Sequence, residues 1–454
     1  LAFLAVGLVA SGVAVRLLNP LPSLSGRENS RALSGEGTSL ARTFARSVAA
    51  HPGRSGIHLL ADGRDAFAAR VLLARSAERT IDAQYYIWHG DLTGSLLFAE
   101  LLAAADRGVR VRLLLDDNNT SGLDPLIAEL DAHPRIEVRL FNPFTLRRLR
   151  LVGWAVDFSR LNRRMHNKSF TIDNQATIIG GRNVGDEYFD AGSGALFVDL
   201  DALAIGPVVG EVSRDFDRYW SSQSAYPAQR LLPRSASRGA SLRPRAGAYR
   251  QSAAGSRYVD ELRTLPIGRE LADGTLPLEW APVELVSDDP AKALGQVETS
   301  RLLITHLKDL LGEPQRRLGI VSGYFVPTEE TVHTLSQLRG GGASVTVVTN
   351  AFEAPDVPVV HAGYADDRKS LLKAGVHLWE LRSASAESAR PRFSGTGSTG
   401  GVPQGAGQAL HAKTLTVDGE RLFIGSFNLD PRSARLNTEL GFLIDSQRVG
   451  RRVE

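Results

Sequence analysis

Cysteine is absent from all 454 residues. That absence removes disulfide frameworks, thiolate zinc sites, iron–sulfur clusters, cysteine nucleophiles and cysteine lipidation together. A dominant charge is lacking too: 53 Lys and Arg stand against 50 Asp and Glu, a formal net charge of +3. Such a balance excludes a surface that is polycationic throughout, while a local basic site stays open. What is present is an ordinary globular composition, 43% hydrophobic and 23% charged, which excludes a mainly disordered chain. The opening LAFLAVGLVASGVAV carries no charge before Arg16. A bilayer-crossing helix needs about 20 apolar residues and a signal-peptide core about 7–15. Residues 1–20 are therefore read as a membrane anchor or an export signal, with a linker over 21–54. Arg16, Arg27 and Arg31 favour a body on the cytoplasmic side.

Beyond residue 55 the chain alternates short apolar runs with amphipathic stretches. IHLLADGRDAFAARVLLARSAERTIDAQYYIW reads as strand, helix, strand; LLFAELLAAADRGVRVRLLLDD adds a helix and a strand, and LDPLIAEL with IEVRLFNPF another pair. This alternation implies α/β lobes with crossover connections. The second half repeats the order, with VELVSDDPAKAL, SRLLITHLKDLL, LGIVSGYF, TVHTLSQLRGGG, SVTVVTN and DDRKSLLKAGVHLWEL in matching places. A shared order of so many elements marks an internal duplication. The expected lobes span 55–220 and 277–454, with an aperiodic Ser-, Arg- and Pro-rich linker region over 221–276. SGTGSTGGVPQGAGQ (394–408) is expected to be a loop at the rim of the site to which His411 belongs.

Each half ends in a cluster. MHNKSFTIDNQATIIGGRN contains His166, Lys168, Asp173, Gly180 and Asn183; LHAKTLTVDGERLFIGSFN contains His411, Lys413, Asp418, Gly425, Ser426 and Asn428. His-to-Lys, Lys-to-Asp, Asp-to-Gly and Gly-to-Asn spacings are two, five, seven and three in both. Five fixed positions at roughly one in twenty each coincide by chance on the order of once in a million starts. Residues two apart on a strand share a face, so each His and Lys should point the same way. Asp173-Asn174 and Asp418-Gly419 are hairpin-turn signals. A turn with two central residues would pair Asp173 with Ala176, setting His166 opposite Asn183 and Lys168 opposite Gly181. It would likewise set His411 opposite Asn428 and Lys413 opposite Ser426. Two such hairpins meeting across a pseudo-twofold axis would gather two His and two Lys around one point. One His could attack a phosphorus while the other protonates the leaving group. The Lys and Asn side chains would stabilise the added negative charge without a metal.

Both clusters resemble the HKD motif, HxKxxxxD followed by GSxN, of the phospholipase D superfamily. The likeness covers both lobes. It implies an α/β fold of two duplicated phospholipase-D-like lobes, each a mixed β-sheet flanked by helices, with the active site between them. It also implies a covalent phosphohistidine, no metal, no cofactor and a monomer whose two lobes share one site. Carried over, His166 resembles the nucleophile and His411 the general acid, while Lys168, Lys413, Asn183, Asn428 and Ser426 would hold the phosphate. Asp173 and Asp418 belong to the motif, but their turn positions suit a structural role. The departure is Gly181, where the motif has Ser, so the lobes should not be equivalent. Matching FVDLDALAI with NTELGFLI sets Asp199 opposite Glu439, the carboxylates expected to orient the imidazoles. Chains of the family usually continue beyond the strand ELGFLI, so a closing helix is expected to be missing.

DAQYYIWHGDLTG, GGRNVGDEYF and GSFNLDPRSARLNTELG resemble the bacterial cardiolipin-synthase-like branch. That implies transfer of a phosphatidyl group to an alcohol, with phosphatidylglycerol, phosphatidylethanolamine or similar phospholipids as substrates and a membrane location, the bacterial inner membrane or, after signal cleavage, the periplasm. TLRRLRLVGWAVDFSRLNRR (145–164) has six Arg against one Asp, interleaved with apolar residues. Arginine beside apolar side chains suits an anionic membrane surface. Hydrolysis with water as acceptor, a metal-independent nuclease using the same histidines, and an inactive scaffold are the alternatives. The intact His and Lys pairs argue against the last, and the lack of an aromatic stacking platform argues against nucleic acid as partner.

Overall fold

The computed structural model describes residues 12–192, 196–232, 242–353, 358–382 and 407–454. Residues 1–11 of the apolar opening and nearly all of the loop 394–408 lie outside these residues. Two sheets organise the rest. From edge to edge the first runs Glu279–Ala281, Ser55–Leu60, Asp201–Ile205, Ala176–Gly180, Ser169–Ile172, Thr80–Ile87, Arg110–Asn119, Ile136–Phe141, Ala225–Pro227. The second runs Val283–Ser287, Leu440–Asp445, Arg421–Gly425, Lys413–Val417, Arg317–Ser322, Ser344–Asn350, His377–Leu381. Without its two edge strands, the first sheet has the same order as the second. The duplication expected from the sequence is therefore a duplication of topology. Both sheets are mixed: Thr80–Ile87 pairs parallel with Arg110–Asn119, and antiparallel with Ser169–Ile172.

Helices start where short polar side chains cap them. Asp62 accepts from the backbone N–H of Arg64 and Asp65 ahead of Gly63–Ser76, and Asp91 from that of Gly94 ahead of Leu92–Asp106. Both helices bury Leu, Phe and Ala against the first sheet. The segment read as a linker over 21–54 carries a helix too, Ser39–Ala49, whose Leu40 and Phe44 join this core. The interlobe region is likewise not aperiodic coil: Leu242–Gln251, Ala253–Thr264 and Ile267–Ala272 are helices. Leu242, Ala246, Tyr258, Ile267 and Leu271 fasten them to the first lobe. Leu440–Asp445 is followed by the helix Gln447–Val453, capped by Ser446.

The lobes share a core. Ile57, Ile179, Ala202 and Val212 of the first pack with Leu422, Ile424, Phe442 and Ile444 of the second. The chain passes from one sheet to the other through Pro282, since Glu279–Ala281 closes an edge of the first and Val283–Ser287 an edge of the second.

The hairpin register differs from the sequence expectation by one residue. Ile172, not Asp173, pairs with Ala176, and Val417, not Asp418, pairs with Arg421. The two residues of the turn signal occupy the turn itself: Asp173 and Asn174 both have φ of 51°, and Asp418 and Gly419 have 56° and 65°. Gln175 N–H closes the first turn on the Ile172 carbonyl and Glu420 N–H the second on Val417. Gln175 and Glu420 are the extra residues that displace the pairing. The facing pairs expected for His166, Lys168, His411 and Lys413 do not follow from this register.

Most arginines of the stretch 145–164 are bonded within the protein. Arg147 pairs with Asp117 and Asp124, Arg150 with Asp117, Arg160 with Asp157, and Arg164 with Asp116. Arg163 donates to the carbonyls of Lys292 and Arg435. Only Arg148 of the six is exposed.

Candidate active site

His166 and Lys168 lie on the extended segment that enters Ser169–Ile172, and His411 and Ala412 lead into Lys413–Val417. The His166 N–H donates to the Thr438 carbonyl, so the first motif is stitched to the second lobe by its backbone. The His411 N–H donates to the Val198 carbonyl, which stitches the second motif to the first lobe. Beside it, Leu196–Val198 pairs parallel with Gln408–Leu410.

The side chains cross as well. His166 Nδ1 lies 2.9 Å from Glu439 Oε2 and 3.1 Å from the Ser426 carbonyl oxygen, both in the second lobe. His411 Nδ1 lies 2.6 Å from Asp199 Oδ2 in the first lobe. The two carboxylates that the sequence set opposite one another thus reach the imidazoles, each across the lobe boundary. A carbonyl oxygen only accepts, so Nδ1 of His166 carries the hydrogen and Nε2 keeps its lone pair. Tyr86 packs edge-on to His166 at 4.9 Å; Tyr188 and Phe197 lie 5.2 and 4.9 Å from His411.

Lys168 Nζ donates to its own His166 carbonyl at 2.5 Å, and Lys413 makes the same bond to His411. All four of these side chains are buried. Burial, then the charges of Lys168 and Lys413, hold His166 well below its ordinary value. Burial and Lys413 bring His411 down to about 3 against the opposing pull of Asp199. Burial also pushes Lys168 well down, helped by Lys413 and resisted by Glu439. Both lysines act on both rings, which places the two motifs in one electrostatic site.

The acids are not alike. Burial would raise Asp199, but His411, Lys413 and Arg182 outweigh it and keep the group ionised. Glu439 is lifted to about 7, burial prevailing over Lys168, Ser426 and Lys292. The Gly181 departure has a steric reason: a Cβ there would come within 2.0 Å of Asp199 Oδ1. In the other lobe the Ser426 hydroxyl donates to Glu439 Oε2 at 2.5 Å. Ser426 therefore faces the carboxylate.

The asparagines also differ. Asn183 Oδ1 accepts from Ile87 N–H at 3.1 Å and its Nδ2 donates to the Tyr188 hydroxyl at 3.0 Å. Asn428 is buried and its Oδ1 has no partner among the described residues. Asp173 and Asp418 are not brought to the histidines. Asp173 accepts the N–H groups of Glu78, Arg79 and Thr80, and Asp418 those of Gln315, Arg316 and Arg317.

Sequence reasoning passed over two buried ion pairs behind the site. Arg164 pairs with Asp116 at 2.7 Å, and Asp116 also accepts from Met165 N–H, fixing the segment before His166. Lys292 pairs with Asp288 at 2.8 Å, and Asp288 accepts from Glu439 N–H. The sequence marks neither pair beyond the placing of Asp116 directly after the apolar run LLL. Among the described residues, His89, Asp91 and Glu187 hold atoms within 4.8 Å of one another, a spacing open to a cation, beside a cavity of about 620 Å³. Asp91 already accepts from Gly94 and Asp186 N–H, and His89 meets Glu187 at 3.2 Å.

Two buried imidazoles, each held by a carboxylate of the opposite lobe and flanked by two lysines, define a phosphodiester-transferring enzyme of the phospholipase D type. Comparison with known proteins narrows this. The family described as "Cardiolipin synthase, PLD-like domain" matches residues 72–220 and 307–454, and the chain belongs to that family. It is 50% identical over 404 residues to cardiolipin synthase C of Escherichia coli K12, covering 89% of this chain and 84% of that one. Cardiolipin synthase B of the same organism is 26% identical over 389 residues, 86% of this chain and 76% of the other. The crystal structure of a Haemophilus influenzae phosphatidylserine synthase shares the fold, with a TM-score of 0.59, 15% identity and coverage of 92% and 89%.

Proposed function

We propose that the chain transfers a phosphatidyl group from one phospholipid to the hydroxyl of a second through a phosphohistidine, as a cardiolipin synthase. The observation that carries this reading is the reciprocal pairing of His166 with Glu439 and His411 with Asp199. Nε2 of neutral His166 attacks phosphorus, a P–N bond forms, and the P–O bond to the departing alcohol breaks. His411 gives that alkoxide its proton. The acceptor alcohol then returns a proton to His411 as its oxygen attacks, breaking P–N and freeing His166. The difference between the acids supports this assignment, because a fully ionised Asp199 favours an imidazolium at His411 more than Glu439 does at His166. Burial and then the lysines keep His411 neutral before substrate binds; an anionic phosphodiester offsets the lysine charge and lets the ring take up the proton. Lys168, Lys413 and Asn428 stabilise the five-coordinate phosphorus, while Asn183 and Ser426 hold their own scaffolds.

The test is incubation with phosphatidylglycerol and phosphatidylethanolamine, with analysis of lipids and of protein quenched in denaturant at mildly alkaline pH, where a P–N bond survives, by mass spectrometry. The unaltered enzyme is expected to form cardiolipin, and His411→Ala to trap a phosphatidyl adduct on the peptide holding His166. His166→Ala should form neither. DNA cleavage without lipid turnover would replace this reading with the nuclease one.

A further inference from the structure

One face of the molecule takes no part in the chemistry above. Leu149, Leu151, Val152 and Phe158 are exposed on and beside the helices Arg150–Val156 and Phe158–Leu161, Leu151 at 86%. Residues 12–18 form a further helix laid against them. A Cβ on Gly12 would sit 3.6 Å from Val156 Cγ1, and Arg16 pairs with Asp157 at 3.4 Å. That helix adds Leu17 and Leu18, the latter 80% exposed. Large apolar side chains grouped in this way mark a surface that meets another apolar phase.

Three observations say which phase. Helix 12–18 follows LAFLAVGLVAS in the sequence, eleven residues without a charge. Five of the six arginines in 145–164 are bonded inward, which leaves the face apolar with Arg148 exposed beside it. That pairing of apolar area with a cation suits an interface bearing anionic headgroups. Finally, Phe158–Leu161 ends five residues before His166, no more than about 17 Å of extended chain. Amphipathic helices settle about 5–10 Å into the boundary between headgroups and acyl chains, and phosphodiesters lie at that level.

We propose that this face docks into the surface of a phospholipid bilayer and holds the histidines against lipids that keep their acyl chains in the membrane. The inference rests on the lipid-transferring reading above. The cysteine-free sequence makes the test direct. Leu151→Cys, the sole thiol, carries an environment-sensitive fluorophore; Trp379→Cys, exposed in the other lobe, is the control. On vesicles of phosphatidylethanolamine and phosphatidylglycerol the label at 151 is expected to shift blue and that at 379 to stay unchanged. Leu149→Ser combined with Leu151→Ser and Phe158→Ser should lower vesicle partitioning and turnover of vesicle lipid at least tenfold. Turnover of monomeric dihexanoyl phosphatidylglycerol should be unaltered. An unshifted label, or undiminished partitioning of the triple variant, would overturn the proposal. So would loss of a dimer in that variant without loss of vesicle binding, since a second copy would then cover the face. If the unaltered enzyme binds vesicles but turns over neither lipid, the functional reading fails instead.

Discussion

Asp199 and Gly181 act as one unit. The carboxylate occupies the space a side chain at 181 would need. Gly181→Ala is therefore expected to push Asp199 off His411 and to lower kcat at least tenfold, with a stability loss of about 1–3 kcal/mol for the overpacking. Steady-state kinetics and thermal melts check both parts. Asp199→Asn leaves the ring without its ionised partner; the expected cost is about 10²- to 10⁴-fold in kcat with KM little changed. His411 makes a pH prediction. Its folded value is about 3 against an ordinary 6.5, so the unfolded chain binds a proton that the folded ring refuses. The stability this contributes is full above 6.5 and is lost as pH falls towards 3. Ligand-free melting temperature should fall over that window, less steeply in His411→Asn, and inorganic phosphate should flatten the fall by favouring the imidazolium. Composition and spacing made the His, Lys and Asp positions readable because an exact repeat is visible in one dimension. The commitment of Ser426 to Glu439 was not readable, because nothing in GSFN says which neighbour fills the space beside the serine.

Secondary-structure elements carry the site through buried charge. The segment entering the first hairpin hangs on Asp116, which holds both Arg164 and the Met165 N–H. Arg164→Met strands that carboxylate in the interior and should cost about 3–5 kcal/mol; Asp116→Leu combined with Arg164→Met should recover much of it. Chemical denaturation of the two variants gives the comparison. Elements with strong apolar periodicity, such as Leu92–Asp106 and the paired strands, follow from the sequence directly. The hairpin register does not, since a single extra residue at Gln175 or Glu420 shifts every pairing while leaving the turn signal intact. The interlobe helices escaped the reading because Ala and Arg in RPRAGAYRQSAAGSRYVDELR resemble linker composition. The placement of Leu242, Ala246 and Tyr258 shows the helical face only once the partner surface is known. The inward pairing of most arginines in 145–164 was hidden for a related reason: the acidic partners Asp116, Asp117 and Asp124 lie far upstream.

The whole molecule behaves as a single body because its lobes are joined by a shared core, by crossed hydrogen bonds and by a chain that leaves one sheet and starts the next. Calorimetry is expected to show one cooperative transition, and two resolved transitions would contradict the shared core. The duplication itself was legible from the order of apolar runs. The crossing was not, because sequence places Asp199 and Glu439 near their own lobe's motifs and says nothing of the turn that carries each to the other. Reciprocity of this kind constrains how such a chain can change over generations. A lesion in the acid of either repeat is expected to disarm the imidazole of its sister, so neither half should be free to decay while the other keeps working. The mismatch of Gly181 with Asp199 against Ser426 with Glu439 also means that the halves have grown apart. A chimera made of two first repeats would inherit two strong acids and no weak one, and with them two proton donors where the chemistry asks for a donor and an attacker.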